Sequence, residues 1–259
     1  MKKIVSNGVS IWKFKVLEDQ VHFVSGRSGG VSPAPFDSLN LSFSAGDAAE
    51  NVIENRRRLA FSIGISPENL VFVSQCHSNE IILVNNKADA EGKKADALLT
   101  NVPGICLCVM GADCVPVLAY DPQKKVAAAI HAGWKGTVAS ITSKTLEAMQ
   151  LHFGCRMQDV KIGIGPSISQ DKYEVGKEVY NLFKSNFGAA DLIFKYNAET
   201  AKYFPDLWLA NKMQAMQLGV KESNIEIAEI CTFSNPNEFF SARFFKNQTG
   251  RFAAGILIS

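Results

Sequence analysis

Two short apolar stretches, residues 115–120 and 126–130, stand on either side of Asp121-Pro122, with Cys114 just before the first and His131 just after the second. Apolar runs of this length bounded by Asp-Pro turn chemistry read as an antiparallel pair of strands. A turn centred between Pro122 and Gln123 sets Cys114 directly opposite His131, where facing Cβ atoms stand roughly 4.5–5.5 Å apart. A bulge in the loop would shift the register and make the pair diagonal. A thiolate and an imidazole at that separation can share a metal ion or act as nucleophile and base. A chain built around such a hairpin is committed to a sheet, and the remaining segments must supply its neighbours.

Strand patterns recur at 11–16, 22–25, 70–74, 80–84, 95–100, 105–110, 161–165, 225–230, 239–244 and 252–258. Asp47, with Glu50 three residues later, looks like a capping box opening a helix that runs through Val52, Arg56, Leu59 and Ile63 to Gly64. Arg56 shares the stripe of those apolar residues, so its stem either snorkels or carries the guanidinium into a site. Thr137 is a candidate cap for a helix ending near Phe153, and residues 173–187 and 207–218 read as two more helices. Many strands, few helices and connections too short for βαβ crossovers predict an α+β fold with mixed or antiparallel sheets. No linker, repeat or low-complexity stretch interrupts residues 1–259, which read as a single domain.

Composition removes several classes of function. A formal net charge of +2, with Arg56-Arg57-Arg58 the one basic cluster that stands out, does not indicate a nucleic-acid or membrane-surface partner. Ser6, Asn7, Gly8, Lys13 and Lys15 interrupt any apolar core of a leader, and no run of about 18 apolar residues exists to span a bilayer. The expected compartment is the cytoplasm. The six cysteines (76, 106, 108, 114, 155 and 231) follow no framework spacing and are expected as reduced thiols. Cys106 and Cys108 alternate within an apolar run and read as core packing.

Four histidines remain to carry chemistry: His22 inside a strand pattern, His152 near a helix end, and His77 and His131 each following a strand. His77 sits on a short connector, a place from which side chains are presented to clefts. With Cys114 the last two make a His-Cys-His set, the ligand count of a catalytic zinc with one position open. An ion so held would ionise the thiol and make water a nucleophile at neutral pH. Spacings of 37 and 17 residues form no compact motif, so three unrelated residues remain an alternative. Others are a Cys114–His131 nucleophile–base pair beside Asp113, and a copper site with Met110 as axial ligand. The glycines around Trp134-Lys135 also suggest a weak anion site where the chain enters a helix.

The segment Ala112-Asp113-Cys114-Val115-Pro116-Val117-Leu118, followed by His131-Ala132-Gly133-Trp134-Lys135-Gly136, resembles the signature of the YfiH-type family. Its members are called laccase-domain or polyphenol oxidoreductase proteins, and also purine nucleoside phosphorylases. Further matches run along nearly the whole chain, among them Glu54-Asn55-Arg56-Arg57, Gln75-Cys76-His77, Ala95-Asp96-Ala97-Leu98 and Thr249-Gly250-Arg251. The resemblance implies layered mixed sheets flanked by helices in α/β/β/α order. It implies one zinc ion held by His77, Cys114 and His131, with copper the less favoured metal. It implies phosphorolysis of adenosine, inosine, guanosine and methylthioadenosine, with purine nucleosides and inorganic phosphate as partners, and deamination of adenosine in the same pocket. Arg56 matches the family's pocket arginine, and Asn40 and Arg243 match residues expected near the cleft as substrate contacts. Ser44 replaces a histidine usual in the family, and Lys135 an arginine. The oligomeric state stays open between monomer and weak homodimer. A cysteine hydrolase or peptidoglycan-editing factor, and a copper polyphenol oxidase, are the alternative functions.

Overall fold

In the computed structural model, which describes residues 1–258, positions 115–121 and 126–132 are buried without exception. Strands buried on both faces require a layer on each side. The hairpin lies inside a six-stranded sheet ordered β13 (Ile225–Ile227), β10 (Lys161–Ile164), β8 (Val115–Asp121), β9 (Val126–Ala132), β6 (Ala97–Thr100), β5 (Ile81–Leu83). A second six-stranded sheet is ordered β1 (Lys2–Ser6), β2 (Val9–Lys13), β3 (Val21–Ser25), β14 (Phe252–Leu257), β7 (Cys106–Gly111), β4 (Leu70–Phe72). Strands β11 (Phe194–Asn197) and β12 (Lys202–Pro205) form a separate antiparallel hairpin. Each large sheet mixes antiparallel pairs with parallel ones, β4 beside β7 in one and β5 beside β6 and β10 beside β13 in the other.

Alternation along the strands builds four layers. Val115, Val117, Ala119, Ala128 and Ile130 pack against Ile141, Leu146 and Met149 of α3 (Ile141–Phe153), Phe183 of α4 (Lys177–Phe187) and Ala210 of α6 (Leu207–Gln217). Leu118, Tyr120, Ala127 and Ala129 point the other way and meet Leu107, Val109, Phe252, Ala254 and Ile256 between the sheets. The far face of the second sheet places Val9, Ile11, Phe23, Cys106 and Cys108 against Leu59 and Ala60 of α1 (Ala49–Ser62). The order is therefore α/β/β/α, as expected. Each fully buried Phe, Leu or Ile contributes about 1.5–3 kcal/mol of transfer free energy, and these three shared cores hold the layers together.

Several local expectations change. The hairpin register pairs Val115 with Ala132 and Pro116 with His131, so Cys114 stands opposite Gly133 and diagonal to His131. The cause is a four-residue loop, 122–125: Asp121 Oδ1 accepts from the amides of Gln123 and Lys124, and Lys125 takes a left-handed φ of 52°. No capping box forms at Asp47, because its carboxylate is drawn to Ser32, Asn40 and Asn51, and Ala48 is the cap residue. The helix expected from Thr137 is two: α2 (Trp134–Val138) and α3, broken at Ser140 with φ 61°. The helix expected from residue 173 begins at Lys177, since Val175 is tied as an isolated bridge to Tyr203; α5 (Ala190–Ile193) follows it. Residues 239–244 form no strand but an irregular stretch that ends in a turn at 242–244, with Phe239 and Phe240 buried between the sheets.

Candidate metal centre and its cavity

Strands β4 and β7 run parallel in one sheet, and the chain leaves both at the same end to cross into the other. His77 rides the crossing from β4 to β5, and Cys114 the three-residue crossing from β7 to β8. Both crossings turn through left-handed residues, His77 at φ 60° and Asp113 at φ 88°. His131 sits one residue before the end of β9, beside the start of β8. Three donors far apart in sequence thus meet at one edge of the sandwich, their ligand atoms all within 4.8 Å of one another. Cys114 Sγ lies 3.9 Å from His77 Nε2, and the two imidazole centroids are 5.0 Å apart.

Gly133, opposite Cys114, makes this convergence possible. A Cβ there would stand 3.1 Å from Cys114 Sγ and 3.1 Å from His77 Cδ2. The crossings are held from behind by two buried carboxylates. Asp96, fully buried, accepts from the backbone amides of Cys76, His77 and Ser78, from the Ser78 hydroxyl at 2.8 Å, and from His131 Nδ1 at 2.8 Å. That last bond fixes the tautomer that leaves His131 Nε2 for a metal, the usual arrangement behind a ligating histidine. Asp113 accepts from Thr232 Oγ1 at 2.6 Å and from the Arg243 amide at 2.7 Å, so its carboxylate is committed to the fold beside Cys114.

The charges follow from these contacts. Burial works against ionisation of Asp96, yet the bonds from His131 and Ser78 hold its carboxyl well below the usual carboxylate range. Burial also opposes the Cys114 thiolate, but the His131 and His77 imidazoles outweigh it and bring the thiol down to about 6. For His131 burial favours the neutral ring, while Cys114 and Asp96 push its pKa up to about 9. Without a metal the site thus carries a thiolate beside the His131 imidazolium, with the His77 ring next to both. That donor set, held by a carboxylate behind one imidazole and joined by no fourth His, Cys, Asp or Glu among the described residues, fits a single metal ion.

All three donors line a cavity of about 650 Å³, together with Arg56, Arg251, Phe43, Phe72, Met110 and Ser44. Arg56 lies between the rings of Phe43 and Phe72, 4.5 and 3.9 Å from their centroids, and donates Nε and Nη2 to the Leu41 carbonyl. Burial lowers its pKa to about 10. Asn40 does not line the cavity. It is fully buried behind the wall, accepting from the amides of Ser42 and Arg251 and donating to the Ser42 carbonyl and Asp47. Arg243 is exposed, stacked over Tyr173 and donating to the Glu174 carbonyl, and is not among the cavity residues. Lys135 is exposed beside Trp134 in a helix of five residues. His22 is buried elsewhere, between the Phe14 amide and the Gln20 carbonyl.

Two residues of this centre carried no functional reading in the sequence. Asp96 stood only at the start of the strand pattern 95–100 and within the matched segment Ala95-Asp96-Ala97-Leu98, although an acid set between Ala95 and Ala97 before an apolar run signals a buried, partnered carboxylate. Arg251 stood only within the matched segment Thr249-Gly250-Arg251, with no role attached.

Residues 21–259 match the family described as multi-copper polyphenol oxidoreductase laccase. The chain belongs to this family. A purine nucleoside phosphorylase of Bacteroides thetaiotaomicron is 42% identical over 245 residues, spanning 92% of this chain and 91% of that protein. An adenosine deaminase, RL5, from an unknown prokaryotic organism is 34% identical over 230 residues, or 85% of this chain and 87% of its own length. Among solved structures, the hypothetical protein YfiH of Bacillus licheniformis superposes with a TM-score of 0.92 at 28% identity, covering 98% of this chain and 97% of that one. The family description speaks of several copper ions. Among the described residues of this member, one group of His, Cys, Asp and Glu side chains is arranged to hold a metal. No helix among them is long and apolar enough to cross a membrane.

Proposed function

We propose that this protein is a zinc-dependent purine nucleoside phosphorylase, acting on adenosine, inosine, guanosine and methylthioadenosine, that also deaminates adenosine. The observation that carries this reading is the convergence of His77, Cys114 and His131 on the wall of a cavity of about 650 Å³ that also holds Arg56. Three protein donors beside a substrate-sized space match the catalytic rather than the structural pattern of zinc, and zinc is preferred to copper for that reason. Zinc bound there would supply Lewis-acid charge and a lowered water pKa. Names of relatives that include both a purine nucleoside phosphorylase and an adenosine deaminase support the same pair of reactions. The whole chain, 1–259, acts as one unit, in the cytoplasm.

Phosphorolysis forms a bond from a phosphate oxygen to C1′ of the ribose as the bond from C1′ to N9 breaks. The electron pair leaves with the purine, which takes up a proton. Arg56, held by the rings of Phe43 and Phe72 and by the Leu41 carbonyl, neutralises the phosphate and keeps its orientation as charge shifts toward the base. Phe43, half-exposed at the cavity, offers a ring face for the nucleoside. In deamination, water adds at C6 of adenosine and ammonia leaves. Asp96 holds His131 and the His77 crossing in place through both reactions.

The test is metal analysis of the purified protein together with adenosine turnover, with and without phosphate. One zinc per chain, adenine formed only with phosphate, and inosine formed without it would support the proposal. Full activity in protein stripped of metal would overturn it. One observation favours a second reading: the Cys114 thiol at about 6 beside His131 also suits a cysteine nucleophile, as in a hydrolase or peptidoglycan-editing factor. Loss of activity on alkylation of metal-free protein that was active before treatment would favour that reading.

A further inference from the structure

Two guanidinium groups, Arg56 and Arg251, line the cavity, and no aspartate or glutamate does. Neither arginine makes an ion pair with a described residue. Their partners are neutral carbonyls. Arg56 gives Nε and Nη2 to Leu41 O at 3.0 and 2.8 Å, and Arg251 gives Nη1 to the carbonyls of Thr249 at 2.8 Å and Gly250 at 3.0 Å. Such bonds fix the planes of the two guanidiniums without cancelling their charge. Burial lowers the pKa of each, the cost of keeping a cation from water, and for Arg251 the nearby Cys114 and Asp113 offset only part of it.

The two are also built as a unit. The Leu41 carbonyl receives the Arg56 guanidinium, while the Leu41 amide donates to the Arg251 carbonyl at 3.0 Å. Asn40, fully buried, uses its single Oδ1 to accept both the Arg251 amide at 3.0 Å and the Ser42 amide at 3.1 Å. One short segment, 40–42, therefore sets where both cations stand. Arg56 Nη1, and Nε and Nη2 of Arg251, have no partner among the described residues.

We propose that Arg56 and Arg251 together form the inorganic phosphate subsite of this cavity, with Arg251 the second guanidinium and Asn40 the residue that positions it. A phosphate dianion supplies the ion-pair partner that neither guanidinium has and accepts from the free donors of both forks. This rests on the phosphorolysis reading above and specifies which residues take the phosphate.

The test uses the zinc-loaded full chain and two variants, Arg251→Gln and Arg251→Lys. For Arg251→Gln the KM for phosphate rises at least tenfold while the KM for the nucleoside moves less than threefold. Arg251→Lys recovers part of the phosphate KM, because it restores the charge but not the fork. A structural role would raise both KM values together, and that result, or an unchanged phosphate KM, overturns the proposal. Should the glutamine variant fail to fold, the lysine variant decides it by the same split. Calorimetric titration of inorganic phosphate alone, without nucleoside, separates the two layers of the reading. Phosphate binding that is lost in Arg251→Gln supports the subsite even where no phosphorolysis occurs, and absence of phosphate binding to the unsubstituted protein sinks it.

Discussion

His131 Nδ1 stands 2.8 Å from Asp96 Oδ1, and the same oxygen accepts the His77 amide at 3.0 Å, so one buried atom sets the position of two of the three donors. Asp96→Ala leaves those donors and the amides of Cys76 and Ser78 without an acceptor. The expected cost is about 2–4 kcal/mol in stability, with metal affinity down about 10–100-fold. Asp96→Asn keeps the volume and is expected to lose metal affinity with a smaller fall in melting temperature. Metal content after dialysis and thermal unfolding check both.

Gly133→Ala probes the donors without touching the backbone preference. The residue has φ −65° and ψ 168°, open to alanine, but the added methyl meets Cys114 Sγ and the His77 ring at 3.1 Å. The expected outcome is an unchanged circular dichroism spectrum with at least a tenfold loss of metal affinity (about 1.4 kcal/mol). A variant that retains its metal as tightly as the parent would contradict the crowding.

In metal-free protein, Cys114 is expected to alkylate with a midpoint near pH 6, set by the thiol at about 6. The sign follows from linkage: a thiol pKa lowered on folding contributes stability above the unfolded value of about 8.5, lost as pH falls through the folded value. The imidazole works in the opposite sense, its contribution present below about 6.5 and lost as pH rises through about 9. Thiolate and imidazolium therefore coexist between about 6 and about 9. Rates of iodoacetamide labelling across pH, with and without zinc, give the measurement; zinc is expected to suppress labelling.

Thr232→Val tests the second carboxylate. It removes the hydroxyl that donates to Asp113 Oδ1 at 2.6 Å and keeps the shape, leaving a buried acid one donor short. A destabilisation of about 1–3 kcal/mol is expected, read by denaturant unfolding. An unchanged unfolding midpoint would mean that Asp113 is satisfied otherwise.

Much of the centre could be read before any coordinates. Residues 115–120 and 126–130 announce themselves because their apolar runs and their turn are local, and the His77 connector because strands flank it. Which sheet each strand joins is not local, so nothing in residues 70–84 tells that β4 and β5 lie in different sheets. The register differs because the turn centres between Gln123 and Lys124, one residue beyond the Pro122–Gln123 centre that the sequence suggests, with Asp121 capping a loop that runs through Lys125. Residues 239–244 look like a strand because Phe favours strands, yet the Arg243 amide is taken by Asp113 rather than by a ladder. Asn40 matched the cleft by resemblance and lies one layer behind it, a distinction that depends on Arg251, 211 residues away.

Because the two crossings carry His77 and Cys114 from one sheet to the other, a bound ion would act as a rivet through the seam of the sandwich. Prying the sheets apart and releasing the ion are then one event. Metal retention becomes a gauge of how firmly the halves are closed, and substitutions deep between them, at Leu118 or Phe252, are felt at the rim.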